Sequence, residues 1–182
     1  NYSKDHSEVT LPLGILSVGS ALKKSGLDVK LINITEKEID RTAEEIIKLK
    51  PEFVGVSVMT GIQTRHSAEL SKKIKEIDRK LPIVWGGIHP SLLPEQCLRE
   101  DYIDYVVIGE GELTIVEFVK CLRSGGDLGS VAGLGHKKDG KFIINQSRGF
   151  IENLDDYKLD FSLIDVERYV FKSMGAKRTM AY

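Results

Sequence analysis

The chain has 182 residues, of which 26 are basic and 27 are acidic, and 41% of its side chains are hydrophobic. This length fits one globular domain with an appended segment, and the composition is sufficient for an apolar core. The formal net charge of −1 disfavours nucleic acid as a partner, because it provides no basic field for a phosphate backbone. The sequence contains no run of about 18 apolar residues, so no membrane-spanning helix is expected.

The beginning of the sequence and its cysteines bear on the cellular compartment. Residues 1–10 are polar and lack the basic-then-apolar pattern of a secretory signal. Cys97 and Cys121 are too few for a disulfide framework and are not spaced as metal ligands. We therefore expect a cytoplasmic protein without a metal site built from its own side chains.

The spacing of apolar residues predicts an alternation of helices and strands. Apolar residues recur every three or four positions in five segments, which predicts helices near residues 12–24, 39–49, 64–80, 94–100 and 115–122. Short, nearly continuous apolar runs predict strands at residues 29–34, 53–59, 83–85 and 105–108.

This order of elements predicts an α/β fold with a doubly wound, Rossmann-like sheet of flavodoxin type, mainly parallel and with right-handed crossovers. Such a fold normally begins with a strand, whereas residues 1–10 show no strand pattern. We therefore expect its first strand to lie upstream of this sequence.

The pattern changes after Gly126. Asp139 and Gly140 supply a strong hairpin-turn signal between two β-type runs at residues 131–137 and 141–145. From Gly149 onward, acidic and aromatic residues are mixed without a clear period, which predicts a linker with one short helix. We therefore divide the chain into an α/β domain at residues 11–127 and a hairpin with a linker at residues 128–182.

Three loops rich in small or polar residues follow predicted strands, and ligands of open α/β sheets bind at such strand ends. In the second loop, glycines allow the backbone to approach a bulky group, and His89 offers a hydrogen-bond donor. The candidate binding residues are Ser57, Met59 and Thr60 in the first loop, Gly86, Gly87 and His89 in the second, and Gly109, Glu110 and Gly111 in the third.

Each loop also has an ordinary structural explanation. Serine and threonine commonly cap helices, and paired glycines commonly form tight turns. The carboxylate of Glu110 favours a helix start but disfavours a phosphate there, and the spacing is not that of a dinucleotide-binding fingerprint. No catalytic arrangement is evident, because the four histidines are scattered and no serine lies in a nucleophile motif. The sequence therefore predicts a domain that binds a ligand rather than one that catalyses a reaction alone.

Taken together, the motifs resemble the cobalamin-binding domain at the N-terminus of radical S-adenosylmethionine enzymes, including those related to the anaerobic magnesium-protoporphyrin monomethyl ester cyclase. The resemblance covers most of the chain and rests on several motifs in the family's order. These are Leu-Pro-Leu-Gly-Ile-Leu at residues 11–16, Gly-Val-Ser-Val-Met at 55–59, Gly-Gly-Ile-His-Pro at 86–90, Asp-Tyr-Val-Val-Ile-Gly-Glu-Gly-Glu at 104–112, and the hairpin with Glu-Asn-Leu-Asp-Asp at 152–156.

The resemblance implies that Ser57, Met59, Gly86 and Gly87 line the groove for the nucleotide tail of cobalamin. The family's Asp-x-His-x-x-Gly motif, whose histidine ligates cobalt, is not matched, since Asp5-His6-Ser7 fails the spacing. Cobalamin is therefore expected to bind without a protein histidine ligand, as in many radical enzymes of this type; the alternative is that the ligating loop lies upstream with the expected first strand.

The resemblance also implies a radical S-adenosylmethionine domain in cis, with a four-iron four-sulfur cluster, S-adenosylmethionine and a small-molecule substrate. The Cys-x-x-x-Cys-x-x-Cys motif of that domain is absent from this sequence and is expected beyond residue 182. The parent enzyme would carry out methyl transfer or an oxidative cyclisation. Two alternatives remain open: a flavodoxin-like flavin-binding module, and a scaffold domain of a radical S-adenosylmethionine protein that has lost cobalamin.

Overall fold

The computed structural model describes residues 10–171 and 179–180, and a five-stranded sheet forms its centre. The strands follow the order β1-β2-β3-β4-β5, with the first three parallel and the last two antiparallel. They are β1 (Val54–Ser57), β2 (Ile83–Gly86), β3 (Tyr105–Val107), β4 (Leu134–Lys138) and β5 (Lys141–Ile144). The predicted α/β fold is thus confirmed, and the predicted hairpin extends the same sheet through β4.

Helices cover both faces of this sheet. They are α1 (Leu13–Lys24), α2 (Ile39–Lys48), α3 (Ile62–Ile77), α4 (Ile88–Leu92), α5 (Pro94–Arg99) and α6 (Gly111–Ser124). Neighbouring residues of β2 face opposite cores, because Trp85 belongs to the cluster that contains Ile74 of α3 and Val84 to the cluster that contains Phe118 of α6. Burial on both faces explains why β2 and β3 are apolar without alternation, whereas β1 at the edge of the sheet is only partly buried.

One predicted strand and one predicted loop were wrong. Residues 27–35 form neither helix nor strand, although Val29 and Ile32 do pack against the two core clusters. A strand requires hydrogen bonds to a neighbour, and no described strand pairs with this segment or with the outer edge of β1. The apolar pattern therefore predicted the burial of residues 29–34 correctly and their pairing in a sheet wrongly.

Helix α4 was not predicted, because its residues were expected to form a loop. Pro90 lies in the first turn of α4, where a missing N–H costs no helical hydrogen bond.

The chain after the hairpin packs back onto α1 and α6. Its described part contains short 3₁₀ turns at Leu154–Tyr157, Phe161–Leu163 and Val166–Tyr169, and a ribbon of β6 (Val170–Phe171) with β7 (Thr179–Met180), instead of the single short helix expected. We call residues 146–163 the return segment. Of the helices in the described ranges, none is long and apolar enough to cross a membrane.

Several polar contacts hold the return segment, and basic side chains at its two ends make some of them. The guanidinium of Arg148, whose side chain is 15% exposed, donates to Thr114 Oγ1 at 2.9 Å, to both carboxylate oxygens of Glu117 and to the Ala132 carbonyl. Further along, Lys23 Nζ lies 2.8 Å from Asp160 Oδ2, and this ammonium, with the hydroxyl and N–H of Ser162, lowers the pKa of Asp160 to about 2.

Replacing Arg148 by methionine is expected to lower the free energy of unfolding by about 1–3 kcal/mol, because a partly buried guanidinium loses four acceptors. Arg123→Met is the matched control. Arg123 makes a similar two-pronged contact with Glu52, but both side chains are 53% exposed, so its loss is expected to cost less than about 1 kcal/mol. Urea denaturation of the two variants measures the difference, and equal losses would contradict the anchoring role of Arg148.

Candidate functional site

The loops after β1 and β2 are joined by two backbone hydrogen bonds. Both loops leave the carboxyl edge of the sheet, because parallel strands end on the same side. The Val58 N–H donates to the Gly86 carbonyl at 2.8 Å, and the Val58 carbonyl accepts from the His89 N–H at 3.1 Å. Val58 itself is fully buried. The first two predicted loops are therefore held together as one rigid unit.

Gly87 is the position that this unit requires to be glycine. Its φ is +95°, a conformation that residues with a side chain rarely adopt. A Cβ at this position would lie 2.9 Å from the Val58 carbonyl oxygen and 3.4 Å from Ser57 Oγ. The absence of a side chain at Gly87 thus permits the close contact between the loops, as expected for a backbone that approaches another group.

Ser91 connects the second loop to the third, and the sequence analysis did not select it. Its hydroxyl donates to the Gly87 carbonyl at 2.7 Å and accepts from the Gly109 N–H at 2.9 Å. The only sequence signal was its place four residues after Gly87, from which a serine hydroxyl reaches the carbonyl one helical turn back. All three predicted loops are consequently linked at this edge.

The hydroxyl of Ser57 has no hydrogen-bond partner among the described residues. It lies next to two glycines, since a Cβ on Gly14 at the start of α1 would be 3.6 Å from Ser57 Oγ and one on Gly87 would be 3.4 Å away. Ser57 and Thr60 are exposed. The hydroxyl of Ser57 is accordingly available to a ligand that lies against both glycines.

Exposed apolar side chains surround this polar centre. Met59 is 57% exposed, Ile62 is 64% exposed and Ile88 is 58% exposed. The Met59 carbonyl is fixed by the Thr64 hydroxyl at 2.9 Å. Exposed apolar side chains in the first loop and at the starts of α3 and α4 are typical of a binding surface for a ligand with a large apolar face.

The remaining predicted residues differ in what they contact. His89 Nδ1 is buried and lacks a partner in the described part of the chain, so it is free to bond with a ligand. Glu110 instead accepts a hydrogen bond from the Ile151 N–H of the return segment. Gly111 packs against α1, where a Cβ would lie 3.2 Å from Val18 Cγ2. A binding role for Glu110 therefore competes with its contact to the return segment.

The site combines polar groups with exposed apolar side chains. Within residues 10–171 and 179–180, no group of three histidine, cysteine, aspartate or glutamate side chains is placed to hold a metal. The site offers the unpaired, exposed hydroxyl of Ser57, the buried, unpaired imidazole nitrogen of His89 and several exposed apolar side chains. A corrinoid, which has a broad apolar ring and peripheral hydrogen-bonding groups, fits this combination.

The family of the chain follows from its sequence. The model of the B12-binding domain matches residues 7–119, which include β1 to β3 and all three loops. The chain belongs to the B12-binding domain family. This assignment confirms the predicted cobalamin-binding domain, and nothing in the comparisons supports a flavodoxin-like flavin module.

Curated relatives extend the match beyond the family model. An uncharacterised methyltransferase of Pyrococcus horikoshii is 32% identical over 162 residues, covering 87% of this chain and 35% of the relative. The anaerobic magnesium-protoporphyrin IX monomethyl ester cyclase of Synechocystis is 30% identical over 168 residues, covering 88% of this chain and 33% of the relative. The B12-binding domain chain thus spans about a third of the length of these relatives, and the resemblance predicted from the motifs is confirmed.

Solved structures share the fold. The radical S-adenosylmethionine methyltransferase TsrM of Kitasatospora setae, with cobalamin and a [4Fe-4S] cluster bound, has a TM-score of 0.68 at 22% identity, over 75% of this chain and 28% of that one. The cobalamin-dependent S-adenosylmethionine radical enzyme OxsB with aqua-cobalamin has a TM-score of 0.67 at 24% identity, over 79% of this chain and 21% of that one. The B12-binding domain described here therefore has the fold of two cobalamin-bound enzymes.

Gly87→Ala is expected to destabilise the domain more than Gly61→Ala. Both glycines have positive φ, +95° for Gly87 and +112° for Gly61, so both substitutions strain the backbone. Only at Gly87 does the new Cβ meet backbone, at 2.9 Å from the Val58 oxygen, whereas nothing lies within 4 Å at Gly61. We expect Gly61→Ala to cost about 1 kcal/mol and Gly87→Ala about 2–4 kcal/mol in urea denaturation. Equal costs would show that the contact with Val58 does not constrain the fold.

Proposed function

We propose that the carboxyl edge of this B12-binding domain holds cobalamin between the first two loops, and that the domain serves a radical S-adenosylmethionine enzyme. The observation that carries the proposal is the joined unit of Val58 and Gly87, beside which the Ser57 hydroxyl and His89 Nδ1 lack protein partners. Buried polar atoms without partners are rare in native proteins, so His89 Nδ1 marks a place where a ligand would bond, and the exposed Ser57 hydroxyl lies open to the same ligand.

Specific residues take specific roles in this proposal. Gly86 and Gly87 let the cofactor approach the backbone. Ser57 and His89 form hydrogen bonds to the polar periphery of the cofactor, and Met59 and Thr60 lie along the edge of the cofactor. The contact of Glu110 with Ile151 supports a role in placing the return segment next to the cofactor. Gly109 and Gly111 shape the third loop, because Gly109 has a φ of +76° and Gly111 packs closely on α1.

We further propose that no histidine of this chain ligates cobalt. The segment Asp5-His6-Ser7 does not match the Asp-x-His-x-x-Gly spacing and lies outside the described residues. His89 is assigned to hydrogen bonding because its backbone N–H is already fixed to Val58, which restrains the ring beside the second loop.

The proposed parent enzyme is cytoplasmic and combines residues 11–127 as the cobalamin domain with residues 128–182 leading to a radical S-adenosylmethionine domain in cis. The names of the relatives, a cyclase and a methyltransferase, support methyl transfer or oxidative cyclisation of a small-molecule substrate. In such an enzyme, bound cobalamin supplies a cobalt centre for methyl or electron transfer, while a four-iron four-sulfur cluster with S-adenosylmethionine supplies the radical. The residues of this chain bind and orient the cofactor and exclude water from one of its faces.

Titration with hydroxocobalamin tests this function. We expect the purified chain to change the visible spectrum of hydroxocobalamin and to melt at a higher temperature in its presence, because a ligand that binds only the folded state stabilises it. FMN at the same concentration is expected to do neither. A response to FMN alone would favour a flavin module, and a response to neither ligand would favour a scaffold that has lost its cofactor; both results would contradict the proposal.

Variants locate the binding site. Ser57→Leu fills the space beside Gly14 and Gly87, and Gly86→Val adds a branched side chain at the end of β2, so each is expected to weaken cobalamin binding at least about tenfold. Ser124→Leu is the matched control, since Ser124 is exposed at the far end of α6. Equal affinities in all three variants would place cobalamin elsewhere on the domain.

A further inference from the structure

The carboxylate of Glu112 is only half satisfied. Its Oε1 accepts a hydrogen bond from Ser17 Oγ at 2.5 Å. Its Oε2 is buried and has no partner among the described residues. A buried acceptor without a donor destabilises the folded state, and more so when it is charged. This oxygen therefore requires a donor that the described part of the protein does not supply.

Glu112 lies at the edge of the sheet where the three loops meet. It is the second residue of α6 and directly follows the third loop. Its partner Ser17 lies on α1, one helical turn after Gly14, which is next to the Ser57 hydroxyl. The half-satisfied carboxylate thus lies between α1 and α6, beside the candidate site.

The character of the missing donor follows from the charge of Glu112. A carboxylate repels anions and accepts hydrogen bonds from neutral or cationic donors. Cobalamin provides two kinds of neutral donor: amide N–H groups around the corrin ring and hydroxyl groups on the ribose of its nucleotide tail. Either kind can supply the N–H or O–H donor that the buried oxygen of Glu112 has no partner for in the described part of the protein.

We propose that Glu112 is a cofactor-binding residue whose Oε2 accepts a hydrogen bond from a neutral N–H or O–H donor of the corrinoid, while Ser17 holds the other oxygen. This inference rests on the proposed function. It adds to the site a residue that was not among the predicted ones. It also gives two neighbouring glutamates different roles, because Glu110 bonds to the return segment. It also makes the site selective against corrinoids whose amides are hydrolysed to carboxylates.

The test compares Glu112→Gln with Ser17→Ala by calorimetric titration with hydroxocobalamin. Glutamine has the same shape as glutamate. When its side-chain oxygen accepts the hydrogen bond from Ser17, its NH₂ group faces the donor of the cofactor and cannot accept a hydrogen bond from it. We expect Glu112→Gln to weaken binding at least about tenfold, as for the loss of a charge-assisted hydrogen bond. Ser17→Ala keeps the carboxylate and is expected to change the affinity less than about threefold. Glu95→Gln, an exposed residue of α5, is the surface control and is expected to leave affinity unchanged.

Melting temperatures without ligand distinguish binding from a purely structural role. If Glu112 only joins α1 to α6, both Glu112→Gln and Ser17→Ala will alter the melting temperature, and both will bind hydroxocobalamin with the affinity of the wild-type protein. That result would overturn the inference. If the wild-type chain fails to bind hydroxocobalamin, the proposed function itself fails; if it binds and Glu112→Gln binds equally well, only the role of Glu112 fails.

Cobinamide, which lacks the nucleotide tail, identifies the donor. A loss of affinity in Glu112→Gln that appears with both cobinamide and hydroxocobalamin assigns the bond to a corrin amide. A loss that appears with hydroxocobalamin alone assigns it to the ribose hydroxyl. Each result supports the inference and names the part of the cofactor that faces α6.

Discussion

The site depends on the two hydrogen bonds of Val58. This buried residue donates to Gly86 and accepts from His89, so the end of β1 and the turn after β2 have a fixed relation. The arrangement is possible only because Gly87 has no side chain to collide with the Val58 carbonyl. Without these bonds, Ser57 and His89 would belong to two independent loops, and their unpaired polar atoms would have no fixed position relative to each other.

Local pattern was sufficient to predict the parallel strands and the glycine-rich loops. Strands that are buried on both faces are apolar without alternation, and a turn with positive φ selects glycine. Both features can therefore be recognised from a few adjacent residues. Residues 29–34 show the limit of such reasoning. Their apolar side chains pack against the core as the pattern indicates, but a strand also needs a hydrogen-bonded neighbour, and that neighbour is not encoded in the segment itself.

The third loop shows the same limit for function. Glu110 and Glu112 are two positions apart and chemically identical, yet one bonds to Ile151 and the other to Ser17. Both partners are distant in sequence, 41 and 95 residues away, so no local pattern separates the two roles. Together these bonds connect the third loop to α1 on one side and to the return segment on the other. A ligand at this edge therefore lies beside the segment that leads toward the proposed catalytic domain.

The side chains of these loops suit the uncharged rim of a corrin ring better than the dianionic phosphate of a flavin nucleotide. Phosphate sites in α/β proteins use free N–H groups at strand ends together with basic side chains. Here the N–H groups of Val58, His89 and Gly109 already donate within the protein. Residues 57–61, 86–89 and 109–112 also contain no lysine or arginine. In the proposed site, recognition would rely on shape, on the exposed apolar side chains and on acceptors such as the Glu112 carboxylate, which together complement a broad apolar ring with neutral amides on its rim.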